Sequence, residues 1–182
     1  MDRRELRGRL REAFVWRSDR PDRGSYADVT GSWRTPVLLC DLGPGLADLA
    51  ADLHPTVVLG IESRGCVLGP LVALALDVGF VEVRKDESPS CDSDAWLYRT
   101  TPPDYRDRTL RLGFRRMLLS PTDRVLLVDD WIVTGGQALG ARALTEDAHA
   151  TWTGVATIVD ALTDPQLRRR LPVRSLIHIR DL

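Results

Sequence analysis

The chain has 182 residues, 25 of them Lys or Arg and 26 Asp or Glu, for a formal net charge of -1. That length suits one domain with a single sizeable core, and 43% hydrophobic with 28% charged residues is an ordinary globular composition. The near-neutral balance argues against nucleic acid or an anionic membrane as an electrostatic partner, and no apolar run approaches the ~18 residues of a membrane span.

The charged opening Met1–Arg7 leads into no apolar signal segment, and Cys40, Cys66 and Cys91 are widely spaced with no CxxC pair. Both features point to a cytoplasmic protein with reduced thiols. Leu6, Leu10 and Phe14 recur at helical spacing and predict an amphipathic helix over 2–14. Residues 17–34 are polar, contain Gly and Pro, and predict an irregular segment. Leu38, Leu39, Leu42, Leu46, Leu49 and Leu53 mark a second helical face over 36–53, with a kink expected at Gly43-Pro44-Gly45. Thr56–Gly60 is the short β-branched run of a buried parallel strand, Cys66–Asp77 a helix apolar nearly all round, and Gly79–Val83 a second strand. Residues 86–104, with Pro89, Pro102, Pro103 and several Ser and Asp, break every pattern and predict a structureless lid. Leu110, Leu112 and Phe114 alternate like a strand face, and Arg124–Val128 is the clearest strand in the chain. Ala138, Ala141, Leu144 and Ala148 describe the helix after it, and Val155–Val159 and Leu176–Ile179 complete the sheet. Strands alternating with helices predict an α/β domain with a mostly parallel central sheet flanked by helices.

The segment Val125–Ala138 carries the most chemistry. Four buried-type residues deliver Asp129 and Asp130 to the C-terminal end of a parallel strand, the edge where open α/β sheets collect ligands. The chain then turns through Thr134-Gly135-Gly136 into a helix, and glycine backbone at a helix N-terminus suits a phosphate. Acceptors for hydroxyls or a metal ion beside an anion cradle are what a sugar phosphate requires. The loop is neither GxxxxGK[ST] nor GxGxxG.

This stretch resembles the 5-phosphoribosyl-1-pyrophosphate (PRPP) motif of type I phosphoribosyltransferases: an apolar strand, two acidic residues, then a Thr-Gly-Gly loop. Val58–Pro70, followed by Val83-Arg84-Lys85, is similar to the pyrophosphate-loop region of the adenine-type members. The two matches keep the family's order and span about residues 56–160. The resemblance implies a single domain over 1–182, with residues 1–55 as a hood, 56–160 as the core and a mobile loop. It places Asp129 and Asp130 at the ribose 2′- and 3′-hydroxyls, and Val133, Thr134, Gly135, Gly136 and Gln137 at the 5′-phosphate. Ser63, Arg64 and Lys85, with Arg84 nearby, fall at the pyrophosphate, and Glu62-Ser63 at a strained or cis peptide. Arg64 is then catalytic in stabilising the leaving group, and Lys85 is the single lysine among 25 basic residues. Asp104, before Tyr105, matches the acidic residue that handles a proton near the end of the lid. Mg²⁺ is implied as cofactor, entering with PRPP and reaching Asp129 or Asp130. A nucleobase-like acceptor and a homodimer follow by the same analogy.

Three features depart from the family pattern. Gln137 stands where Thr or Ser is usual, residues 86–90 lack the basic run, and the first 55 residues match poorly. They bear on the acceptor base more than on PRPP. A non-catalytic PRPP sensor of the same fold is the alternative function. Ser63 is no nucleophile elbow, because position 61 is Ile rather than Gly. Arg168-Arg169-Arg170 reads as a solvated helix end, and Trp131 either stacks near the sugar or base or packs beside the strand end.

Overall fold

The computed structural model describes residues 2–17, 26–86, 95–103 and 108–182. Helix α1 (Arg3–Ala13) is capped by Asp2, whose carboxylate accepts from the Glu5 N–H at 2.8 Å, and it buries Leu6 and Leu10 as their spacing predicts. Strands β1 (Val15–Arg17) and β2 (Tyr26–Asp28) pair antiparallel in a sheet of their own, and α2 (Gly31–Arg34) follows. The expectation of irregular chain over 17–34 is corrected here, because β2 gains its strand character from a partner nine residues or more away in the chain. Helix α3 (Pro36–Ala50) runs through Pro44 as one element and ends in a 3₁₀ turn at Ala51–Leu53.

The core elements follow as β3 (Val57–Ile61), α4 (Gly65–Leu76), β4 (Gly79–Lys85), β5 (Trp96–Thr100), β6 (Arg111–Arg115), β7 (Arg124–Ile132), α5 (Gly136–Asp147), β8 (Thr151–Asp160), α6 (Pro165–Arg170) and β9 (Val173–His178). Seven of the strands form one sheet in the order β5-β6-β4-β3-β7-β8-β9. β4, β3, β7, β8 and β9 run parallel, while β6 is antiparallel to both β4 and β5. The mostly parallel α/β sheet is therefore as expected. Strand β5 falls inside the stretch predicted to be structureless. Its Trp96 and Tyr98 rings stack at 5.8 Å while Leu97 between them packs on the core, a period of two hidden by its Pro- and Ser-rich flanks.

Two apolar layers cover the sheet. Val58 and Leu126 pack with Leu42, Leu46 and Leu68 of α3 and α4. On the opposite face, Leu59 and Leu127 pack with Leu112, Phe114 and Leu144. β3 is buried on both faces, which is why Val57–Ile61 is apolar throughout. Each buried leucine contributes ~1.5–3 kcal/mol relative to exposure. β3 sits between β4, reached through α4, and β7 on its other side, so the chain changes direction across the sheet there. That switch point opens a crevice at the C-terminal strand ends.

Candidate active site

The ends of β3, β4 and β7 meet at this crevice because the strands are neighbours. Past Ile61 the Glu62 N–H donates to the Val83 carbonyl at 2.9 Å, extending the ladder, and the Glu62-Ser63 peptide is cis. The Glu62 carboxylate accepts from the Lys85 N–H at 3.0 Å and lies 3.7 Å from the Arg84 guanidinium, which also donates to Glu82 at 2.9 Å. Glu62 thus ties the end of β4 to the loop that carries exposed Ser63 and half-buried Arg64. Helix α4 begins at once: a Cβ at Gly60 would lie 2.2 Å from the Gly65 carbonyl oxygen, so the approach of helix to strand excludes any side chain there.

From β7, Asp129 and Asp130 emerge together. Arg64 Nη1 donates to Asp130 Oδ2 at 2.6 Å across the crevice, and the Asp130 N–H donates to Asp129 Oδ1 at 3.0 Å. The two carboxylates are not equivalent. Asp130 is neutralised by Arg64. Asp129 keeps an opening to solvent but is walled in by protein, and burial, then the Asp130 charge, pushes its carboxyl well above the usual carboxylate range. Burial opposes the Arg64 charge, yet Asp130, with Asp28 and Asp129 farther off, holds that guanidinium above its ordinary value. Asp28 therefore brings the hood within electrostatic reach of the site. Its own carboxyl sits at about 2 because the Thr30 hydroxyl and N–H and then Arg17 donate to it.

The phosphate-type loop follows. Val133 and Thr134 are exposed, Gly135 is buried at φ 71°, and α5 starts at Gly136 with no side chain capping its N-terminus beyond a 3.4 Å contact from the Gly136 N–H to the Thr134 hydroxyl. A Cβ at Gly136 would meet the Pro102 carbonyl at 3.0 Å, which places the start of the β5–β6 connection against this loop. Gln137 is half-buried in the first turn of α5.

The sheet edge thus assembles Ser63, Arg64, Lys85, Asp129, Asp130 and residues 133–137. Asp104 lies outside the described residues. Trp131 stacks on Phe14 at 5.9 Å, and Phe14 meets half-exposed Trp16 edge-on at 5.3 Å, so an aromatic ladder runs from the strand end into the hood. Sequence reasoning named Glu62 for its peptide bond and Trp131 as a stacking candidate, but not the Glu62 carboxylate contacts, Asp28 or the extension of the ladder through Phe14 and Trp16. Cys66 is no nucleophile, since burial and then Glu82 push its thiol up to about 12.

A model of the phosphoribosyl transferase domain matches residues 45–179. The chain belongs to the phosphoribosyltransferase family. An adenine phosphoribosyltransferase of a Synechococcus strain is 37% identical over 134 residues, 74% of this chain and 75% of that protein. The crystal structure of adenine phosphoribosyltransferase from Rhodothermus marinus superposes with a TM-score of 0.80 at 31% identity, covering 97% of this chain and 99% of that one. The Trypanosoma brucei adenine phosphoribosyltransferase, in complex with AMP, pyrophosphate and ribose-5-phosphate, superposes with a TM-score of 0.81 at 26% identity, covering 97% and 81%. This phosphoribosyltransferase is an enzyme that moves the 5-phosphoribosyl group of PRPP to a nitrogenous base and releases pyrophosphate; the sensor alternative is not favoured.

Proposed function

We propose that the acceptor is adenine or a closely related purine, and that the crevice at the ends of β3, β4 and β7 is where it meets PRPP. The observation that carries the PRPP placement is the Asp129–Asp130 pair facing Arg64, with the Gly135-Gly136 turn directly after it. The choice of adenine is supported by the likeness to adenine phosphoribosyltransferases. Asp129 and Asp130 accept from the ribose hydroxyls, and residues 133–137 cradle the 5′-phosphate at the start of α5. Ser63, Arg64 and Lys85 take the pyrophosphate. On binding, Arg64 exchanges Asp130 for the diphosphate, and Asp130 exchanges Arg64 for hydroxyls.

The donor set also fits Mg²⁺. Asp129 is a carboxylate whose charge is disfavoured by burial and by its neighbour, and a divalent cation beside it would relieve both. Among the described residues no group of three or more His, Cys, Asp or Glu side chains could hold a metal, so such an ion would draw further oxygens from PRPP itself. When bound, it supplies charge neutralisation to the leaving pyrophosphate. The bond from C1 to the pyrophosphate oxygen breaks ahead of attack, so positive charge builds on the ribose. The protein contributes position, cations at the leaving group and exclusion of water by the lid. Asp104 is assigned the proton at the acceptor nitrogen.

The Trp131–Phe14–Trp16 ladder is assigned to the acceptor side, where aromatic faces stack on a planar base. A homodimer is proposed by analogy with the family, with exposed Met117 and Leu118 after β6 as candidate contacts; Leu118 also lines a cleft of about 370 Å³ with Glu82, Arg84, Trp96, Phe114 and Arg115. No described helix is long and apolar enough to cross a membrane, and the cytoplasm is the proposed compartment.

Incubating the protein with Mg²⁺, PRPP and a panel of purines, pyrimidines and other heterocycles, followed by mass detection of nucleoside monophosphates, tests this reading. AMP as the dominant product supports it. Turnover of a non-purine in preference to adenine would overturn the acceptor assignment.

A further inference from the structure

The arginine run at 168–170 reads from sequence as a solvated helix end, and Arg169 and Arg170 are exposed, but the half-buried Arg168 is committed to a buried carboxylate. Asp160 ends β8, 3% exposed, and its Oδ2 accepts from Arg168 Nη1 at 2.6 Å. Its Oδ1 accepts from Arg168 Nη2 at 3.0 Å and from the Leu162 N–H at 2.9 Å. Arg168 Nη2 also donates to the Leu162 carbonyl at 2.7 Å. The guanidinium fork therefore closes α6 onto the end of β8 in one orientation. That strand end is itself fixed to the residue before the phosphate-type loop: Ile132 pairs with Asp160, and the Ala161 N–H donates to the Ile132 carbonyl at 2.9 Å.

What α6 and its two flanks present to the loop is a leucine floor. A Cβ built on Gly135 would meet Leu171 at 3.1 Å, Leu162 at 3.6 Å and Leu167 at 3.9 Å, and Leu171 and Leu162 are buried. The far end of α6 is held as well, since Arg142 of α5 donates to the Arg170 carbonyl. Loop, α5, α6 and the end of β8 thus form a closed ring in which Gly135 keeps φ 71° over a fixed apolar surface.

We propose that Arg168 is a positioning residue for the 5′-phosphate, acting through Asp160 and through Leu162, Leu167 and Leu171 in and beside α6 to hold the backbone of residues 134–136 in its binding shape. This rests on the placement of the 5′-phosphate at residues 133–137. Arg168 does not reach the phosphate itself, because its guanidinium is turned to Asp160 and Leu162. A loop that must order on binding gives up affinity, whereas one ordered beforehand does not. Removing Arg168 also strands the buried Asp160 carboxylate and lowers stability. The probes are therefore compared at a temperature where each variant is folded, and the distinguishing readout is the selectivity of the loss for ribose 5-phosphate.

The test separates the two halves of PRPP by using ribose 5-phosphate and pyrophosphate as individual probes in calorimetry on the full chain, beside steady-state kinetics. Arg168→Met is expected to weaken ribose 5-phosphate and raise the KM for PRPP about tenfold, leaving pyrophosphate affinity and kcat within about threefold. Arg168→Lys keeps the charge without the fork and restores part of the loss. Arg174→Met, which breaks an ion pair to the exposed Asp52 after α3 and away from the loop, changes neither probe. Unchanged ribose 5-phosphate binding in Arg168→Met, or a parallel loss of pyrophosphate, would overturn the inference. If Arg168→Met does not fold, Leu167→Ala takes its place: selective loss of ribose 5-phosphate supports the inference, and no loss or a parallel loss overturns it. Failure of the wild-type chain to bind ribose 5-phosphate while it still binds pyrophosphate would overturn the phosphate placement, and this inference with it.

Discussion

The sheet edge and the hood solve different problems with different materials. At the edge, the groups facing substrate are set by backbone geometry: a helix start pressed against Gly60, a glycine at φ 71°, and carboxylates delivered by a strand end. In the hood they are set by packing between distant segments. Phe14 from the end of α1 lies on Trp131 of β7, and Arg17 of β1 lies on Asp28 of β2. Geometry of the first kind requires particular residues at fixed local spacing. Packing of the second kind tolerates many residues, provided the faces fit. On the proposed reading, the edge takes PRPP and the hood faces the acceptor.

The largest expected effect breaks the edge. Asp129→Asn with Asp130→Asn should lower PRPP affinity at least about a hundredfold by calorimetry, since two charge-assisted hydrogen-bond acceptors are lost together. Asp129→Asn alone should raise the melting temperature at neutral pH. Its carboxyl is held above its unfolded range, so the fold favours the protonated form, and stability falls as pH rises through that interval. An amide removes this penalty, and the stability gain over wild type should vanish in acid. A variant that binds PRPP weakly yet melts higher would identify Asp129 as a residue kept at a cost in stability.

That contrast also explains how much is legible in the sequence. Val125–Gly136 can be read because strand, acidic pair and glycine turn are contiguous, and the glycine at φ 71° has few substitutes. The parallel sheet follows from alternating apolar runs. β5 is hidden because Trp96–Thr100 is short and lies among prolines and serines, and its pairing with β6 is a relation between segments. β2 escapes notice for the same reason. The arginine run is solvated as it looks, with Arg169 and Arg170 exposed, but nothing local reveals that Arg168 also reaches a buried carboxylate eight residues back.

Next in size is a change to the loop itself. Gly135→Ala places a side chain in the left-handed region at a cost of ~1–2 kcal/mol and sets its Cβ 3.1 Å from Leu171. The KM for PRPP should rise about tenfold while that for the acceptor stays level. Gly8→Ala, in α1 with nothing within 4 Å of the new Cβ, is the control and should stabilise by ~0.5–1 kcal/mol. Equal loss of both substrates in Gly135→Ala would mean that the turn serves the whole fold rather than the phosphate.

On the hood side, Trp131→Leu removes one face of the aromatic ladder but leaves Asp130 and the phosphate loop in place. The acceptor KM should rise about fivefold, with the PRPP KM within about twofold, as expected for loss of one stacking contact. Initial-rate kinetics with each substrate varied in turn separates the two. A rise confined to PRPP would assign Trp131 to the sugar and remove the ladder from the acceptor pocket.

The smallest effect concerns Asp28, which joins the two regions. Thr30 and Arg17 hold its carboxyl at about 2, so the charged form is favoured by folding. Its contribution is complete above the ordinary carboxylate range and is lost as the pH falls towards about 2. Asp28→Asn should therefore melt lower than wild type at neutral pH, and the two curves should converge in acid. The variant also takes from Arg64 one of the negative charges that raise its guanidinium. If Asp28 only anchors the hood, turnover per folded molecule stays level, and the loss appears in thermal unfolding alone. If its charge also holds Arg64 back from the pyrophosphate, the KM for PRPP falls slightly in Asp28→Asn, and that fall shrinks as added salt screens the charge.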